Sequence, residues 1–123
     1  GIGIAGVGSS AAVEGFLTPV RRQAGGINTG LAVYNPGSEA VTLNLTLRGS
    51  AGITVSTGGA STREISAGGH RAEFIDTLFP NADTADFEGI LVVEVTGGTV
   101  AATALELGVS AGQFTTLPVT ALE

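Results

Sequence analysis

The sequence predicts an all-β domain, an antiparallel β-sandwich of about eight strands, and three observations carry that reading. Apolar residues recur with period two rather than with helical spacing. Turn residues punctuate the chain at roughly the 8–12-residue spacing of sandwiches and barrels. Helix signals reduce to a single short turn.

Taken in order, residues 1–15, GIGIAGVGSSAAVEG, differ in kind from the rest. They are rich in Gly, Ala and Ser, carry one charge at Glu14, and place apolar side chains at Ile2, Ile4 and Val7. Such a segment reads either as a flexible linker or as an extended arm that adds as a strand, to its own sheet or to a neighbouring copy's edge. The β-sandwich domain is expected over residues 16–123. A first strand is expected near Phe16–Val20 and a second at Leu31–Tyr34. Asn35-Pro36-Gly37-Ser38 follows as a turn in which Pro sets φ and Gly takes the positive-φ position.

The clearest strand is AVTLNLTLR, residues 40–48. Val41, Leu43, Leu45 and Leu47 fall on one face, Thr42, Asn44, Thr46 and Arg48 on the other. Further strands are expected at Ile53–Thr57, Thr62–Ile65 and Arg71–Phe74. A short helical turn is expected at Ile75–Phe79, stopped by Pro80. GILVVEVT, residues 89–96, is apolar on both faces for most of its length and reads as a central strand. Val100–Leu107 and Phe114–Val119 complete the set. Gly58-Gly59, Gly68-Gly69 and Gly97-Gly98 each separate two such runs and read as tight hairpin connections. The architecture is immunoglobulin-like in the broad sense, without the Cys…Trp…Cys core of antibody domains.

Composition narrows the function classes. The chain has 123 residues, one domain's worth, and 43% are hydrophobic, which argues against disorder. Its net charge is −6, and all five basic residues are scattered Arg with no Lys. That argues against nucleic acid and against anionic lipid surfaces, both of which reward clustered positive charge. There is no Cys, so neither a disulfide scaffold nor thiol chemistry applies. The longest uncharged stretches are too rich in Gly, Ser and Thr to span a bilayer. A chain that starts with Gly is expected to be a processed or excised piece, and an exported protein fits best.

The chemical motifs are few. Gly1-Ile2-Gly3-Ile4-Ala5-Gly6 matches GxGxxG, but no strand precedes it and no helix follows, so the glycines belong to the arm. His70 is the only histidine; it shares a strand face with Ala72 and Phe74 and is expected at the rim of the core. One His without Cys supports neither a triad nor a zinc site. Asp76, Asn81, Asp83, Asp86 and Glu88 form the one acidic cluster. It reads as a solvated connection, with an oxygen-rich calcium site as the sharper alternative. Asn44-Leu45-Thr46 is a glycosylation sequon. Arg21-Arg22 is a charge pair expected in a connection, with Glu14 or Glu39 as partners. Tyr34 is the only Tyr and Trp is absent, which weakens a sugar-stacking role.

The runs NTGLAVYNPGSEAVTLNLTLRGSAG, ISAGGHRAEFIDTLFP, FEGILVVEV, VAATALEL and QFTTLPV make the chain resemble a family of β-sandwich repeats. These occur in large exported and cell-surface bacterial proteins, often beside immunoglobulin-like modules. The resemblance covers residues 16–119 and implies architecture and an extracellular setting, with no catalytic residue to carry over. The expectation is a non-catalytic structural or assembly protein. Its arm residues Ile2, Ile4 and Val7 would dock on other copies of the chain, or on neighbouring domains of an exported protein. A surface-binding module for adhesion or carbohydrate is the alternative.

Overall fold

The computed structural model describes residues 12–23, 26–108 and 113–122. Nine strands and one helical turn follow in order: β1 (Gly15–Gln23), β2 (Ile27–Tyr34), β3 (Val41–Gly49), β4 (Ala60–Ile65), β5 (His70–Phe74), α1 (Ile75–Leu78), β6 (Asp86–Thr96), β7 (Ala101–Gly108), β8 (Gln113–Leu117) and β9 (Thr120–Ala121). All the strand pairs are antiparallel. They join in the order β4-β3-β6-β1-β2-β7-β8, with β5 also on β2 and β9 also on β1. The join between β1 and β2 is narrow, a register of Gln23 with Ile27 alone. By contrast β6 pairs with β1 along its length, from Gly15–Glu94 to Gln23–Asp86. The strands therefore gather into two groups, β4-β3-β6-β1-β9 and β5-β2-β7-β8, hinged at the end of β1.

Period-two burial explains why these segments are strands. In β3, Val41, Leu43, Leu45 and Leu47 are buried while the intervening Thr42, Asn44 and Thr46 are half-buried. β6 is central in its group, between β1 and β3, and buries Leu91, Val92 and Val93 in succession. A strand covered on both faces needs no alternation. One core cluster draws on both groups: Phe16 and Val20 from β1, Leu31 and Val33 from β2, the β3 leucines, Leu91 and Val93 from β6, and Ala102 and Ala104 from β7. α1 adds Ile75 and Leu78, and Phe79 follows it into the same cluster.

The turns depart from expectation in an instructive way. Gly68-Gly69 links β4 to β5 and Gly97-Gly98 links β6 to β7, yet neither pair of flanking strands is hydrogen-bonded together. These connections carry the chain from one group to the other and are not hairpins. Gly68 and Gly97 do have positive φ, 69° and 98°. Local turn chemistry was thus legible, but pairing partners are chosen by which apolar faces meet. Gly37 has no positive φ. The turn before β3 is instead an Asx turn, in which the Gly37 amide donates to Asn35 Oδ1 at 3.0 Å.

Asn35 is 1% exposed, and its Nδ2 donates to the carbonyls of Glu39, Ile65 and Ser66 at 2.8, 3.1 and 3.2 Å. Its own amide donates to Gly69 at 2.9 Å. This one side chain ties the β2–β3 turn to the β4–β5 turn.

Ile53–Thr57 does not form a strand; Thr54 makes an isolated bridge to Arg48, and Ile53 is 73% exposed. The Leu47 carbonyl accepts from Val55 while the Leu47 amide donates to Gly59, so residues 56–58 are extruded opposite a single β3 residue. The strand expected at Phe114–Val119 ends at Leu117, ahead of Pro118, which cannot donate to a ladder, and β9 follows at Thr120–Ala121. Arg21-Arg22 lies within β1, not in a connection.

Candidate functional site

Among the described residues, the chemistry of this molecule lies at the strand edges and on one outer face. An exposed edge presents unpaired N–H and C=O groups and invites pairing unless something blocks it. On the side of β1 away from β6, the blocks are specific. Leu17 pairs with Thr120 of β9, and the Gly15 carbonyl accepts from Leu122. Pro19 has no N–H to offer, and its carbonyl takes the Thr18 hydroxyl at 3.3 Å. Thr29 of β2 closes the next position with its side chain. Its hydroxyl accepts from the Arg21 amide at 2.8 Å and donates to the Arg21 carbonyl at 2.7 Å. A threonine side chain here replaces a ladder rung.

The edges of β4 and β5 are defended by charge. Arg63 of β4 reaches Glu73 of β5 through Nε at 3.0 Å, and Arg71 Nε meets the same carboxylate at 3.1 Å. Arg63 Nη2 also donates to the Thr77 carbonyl at 3.0 Å, which anchors α1. Because the Arg63 and Glu73 side chains are only 21% and 15% exposed, an incoming strand would desolvate a largely buried pair. The water that remains on this pair, and on Arg71 at 43% exposure, would be lost without a new partner to replace it. β8 carries none of these devices. Its sequence QFTTL has no charge and no Pro, and among the described residues it pairs with β7 alone.

The outer face holds a shallow depression of about 500 Å³ lined by Glu14, Gly15, Asn44, Glu94, Val95, Thr96 and Leu122. The Leu122 side chain occupies the space a side chain at residue 15 would need, its Cδ1 lying 3.0 Å from a Cβ built there. Asn44 Nδ2 donates to Thr96 Oγ1 at 3.1 Å. Glu14 and Glu94 are both exposed.

The predicted site residues are placed as follows. Ile2, Ile4 and Val7 lie outside the described residues. The acidic cluster is dispersed: Asp76 on α1 accepts from Asn28 Nδ2 at 3.1 Å and lies 3.7 Å from Arg22. Asp83 caps the Ala85 amide at 3.3 Å, while Asp86 and Glu88 stand on β6. Among the described residues no three His, Cys, Asp or Glu side chains come together to hold a metal. The sequon Asn44 sits mid-strand in β3, opposite Glu94, its amide engaged. His70 opens β5 on an exposed face and not at the core rim. Phe74, 40% exposed on the same face, covers Gly30 directly opposite; a Cβ built at Gly30 would lie 3.4 Å from its ring. Arg21 pairs with Glu106, not with Glu14 or Glu39, through two bonds of 3.1 Å. That hydrogen-bonded carboxylate raises the Arg21 guanidinium pKa still further above its usual value. Tyr34 ends β2, paired with His70 and Ala101.

The chain matches no protein-family model, no curated protein and no solved structure. No helix among the described residues is long and apolar enough to cross a membrane. Sequence reasoning passed over the Arg63–Glu73–Arg71 lace and the Thr29 cap. The lace had a signal, since Arg71 and Glu73 share a strand face by their spacing. The Thr29 cap had none, because nothing local distinguishes it from any other strand threonine.

Proposed function

We propose that the chain is a non-catalytic structural protein that works by assembly, a β-sandwich component of the immunoglobulin-like type whose N-terminal arm adds as a strand to another copy. The setting is extracellular, as the resemblance to exported bacterial β-sandwich repeats implies. The two-group strand arrangement around one core supports the sandwich. The observation that carries the assembly reading is the uneven treatment of the edges. β1 is closed by Pro19 and hydroxyl caps, and β4 and β5 by an ion-pair lace. A protein that pairs strands at one chosen place must block pairing at the others.

In this reading Ile2, Ile4 and Val7 fill alternate-side pockets and set register, while main-chain hydrogen bonds supply most of the affinity. A head-to-tail contact of this kind does not close on itself and builds fibres. The test is sedimentation velocity and electron microscopy on the full chain and on a chain lacking residues 1–11. Polymers of the full chain only are expected; polymers of both would end the reading.

The alternative, a surface-binding module, draws support from the polar lining of the outer depression at Asn44, Glu94 and Thr96. It expects a monomer that binds members of a glycan panel, with binding lost in Asn44→Ala.

A further inference from the structure

We infer that the receiving edge is β8: residues 1–11 of a second copy pair with the side of Gln113–Leu117 that faces away from β7. This rests on the strand-donation reading above and names its acceptor. The argument proceeds by comparing edges. At β4 and β5 an added strand would lie over Arg63, Arg71 and Glu73 and strip water from all three. At β1 the Arg21 amide and carbonyl already hold the Thr29 hydroxyl, and Pro19 offers no donor. β8 offers a five-residue edge, uncharged and paired only to β7 among the described residues.

Two further features fit this occupant. Residues 1–13 carry no charged side chain. A donor without side-chain charge avoids repulsion from a chain of net charge −6, and β8 likewise offers it no ionic partner. Leu117 packs against the core cluster, and Thr115 shares its face by the two-residue period. Thr115 is nevertheless exposed. An apolar side chain from the arm would lie over this face beside Leu117.

The absence of Cys from the chain makes the pairing directly testable by disulfide trapping. Single-Cys variants Ile2→Cys, Ile4→Cys and Val7→Cys are each mixed with Thr115→Cys or Thr116→Cys and oxidised. Opposed residues in an antiparallel pair lie about 4.5–5.5 Å apart at Cα, within disulfide reach. A covalent dimer on a non-reducing gel is expected for at least one arm–β8 combination, at tenfold or more over the same arm variant mixed with Thr62→Cys on β4. Trapping at Thr62 instead, or trapping nowhere while deletion of residues 1–11 still abolishes polymers, would overturn the assignment to β8 and leave strand donation standing. Cross-linking only when both cysteines sit in one molecule would overturn the intermolecular pairing. Polymers that persist without residues 1–11 would overturn both.

Discussion

Replacing Asn35 with Ala would remove the one side chain that holds two inter-strand turns together. Its Nδ2 serves three carbonyls with two protons, and its Oδ1 serves the Gly37 amide. Glu39, Ser66 and Gly37 are exposed, so their freed groups can turn to water. The Ile65 carbonyl loses a buried bond but keeps its place in the ladder opposite Val41. Each of the four lost bonds costs about 0.5–1 kcal/mol. The sum is about 3 kcal/mol. With an unfolding entropy of about 2.1 cal/mol/K per residue, a chain of 123 residues loses about 4 °C in Tm per kcal/mol, hence about 12 °C.

Asn35→Asp sharpens the test. It keeps size and the acceptor for Gly37 but turns a carboxylate toward three carbonyl oxygens, so at pH 7 it should be less stable than Asn35→Ala. Its folded-state pKa would be raised above about 3.9. The folded form then binds more protons, and stability falls as pH rises through the interval between the two pKa values. Acidifying from pH 7 should therefore narrow its deficit. Urea unfolding of the three proteins between pH 4 and pH 7 reads this directly. A loss below about 1 kcal/mol in Asn35→Ala, or Asp matching Asn at pH 7, would refute the reasoning.

Other substitutions probe the remaining features. Thr29→Val keeps shape but strips both Arg21 backbone groups of their partner, and should cost about 1–3 kcal/mol by urea denaturation. Gly89→Ala would drive a Cβ into the Arg48 backbone and to 2.8 Å from the Phe87 ring, where β3 and β6 approach closely; about 1–3 kcal/mol should be lost, seen as a lower Tm. Glu73→Ala would leave Arg63 and Arg71 facing each other without their shared carboxylate. It should cost about 1–2 kcal/mol, less in high salt, in paired unfolding curves.

The strands that were legible are those whose faces differ. β3 and β6 carry their burial in the order of their residues, and α1 is announced by the apolar turn ahead of Pro80. What escaped was decided at a distance. Ile53–Thr57 has the residues of a strand, but the Leu47 backbone bonds Val55 and then Gly59, and the chain between them is expelled. The glycine pairs at 68–69 and 97–98 reveal where the chain reverses, yet not that it reverses onto the other group of strands. At the site level, Asp76 looked like a cation ligand in a run of acids. Folding gave it to Asn28 and Arg22, distant in sequence and linked to it by no local pattern. The edge chemistry was the least legible. Whether an edge is free depends on which strands fail to meet, and that is a property of the whole topology.

Amide hydrogen exchange along β8 tests the central claim most directly. Thr116, whose amide points away from β7, should gain protection when the full chain assembles and lose it when residues 1–11 are removed, while Thr115 and Leu117, already paired to β7, and the β4 and β5 edges stay unchanged. Assembly that protects Ala60–Ile65 or His70–Phe74 and leaves β8 exchanging as before would contradict it.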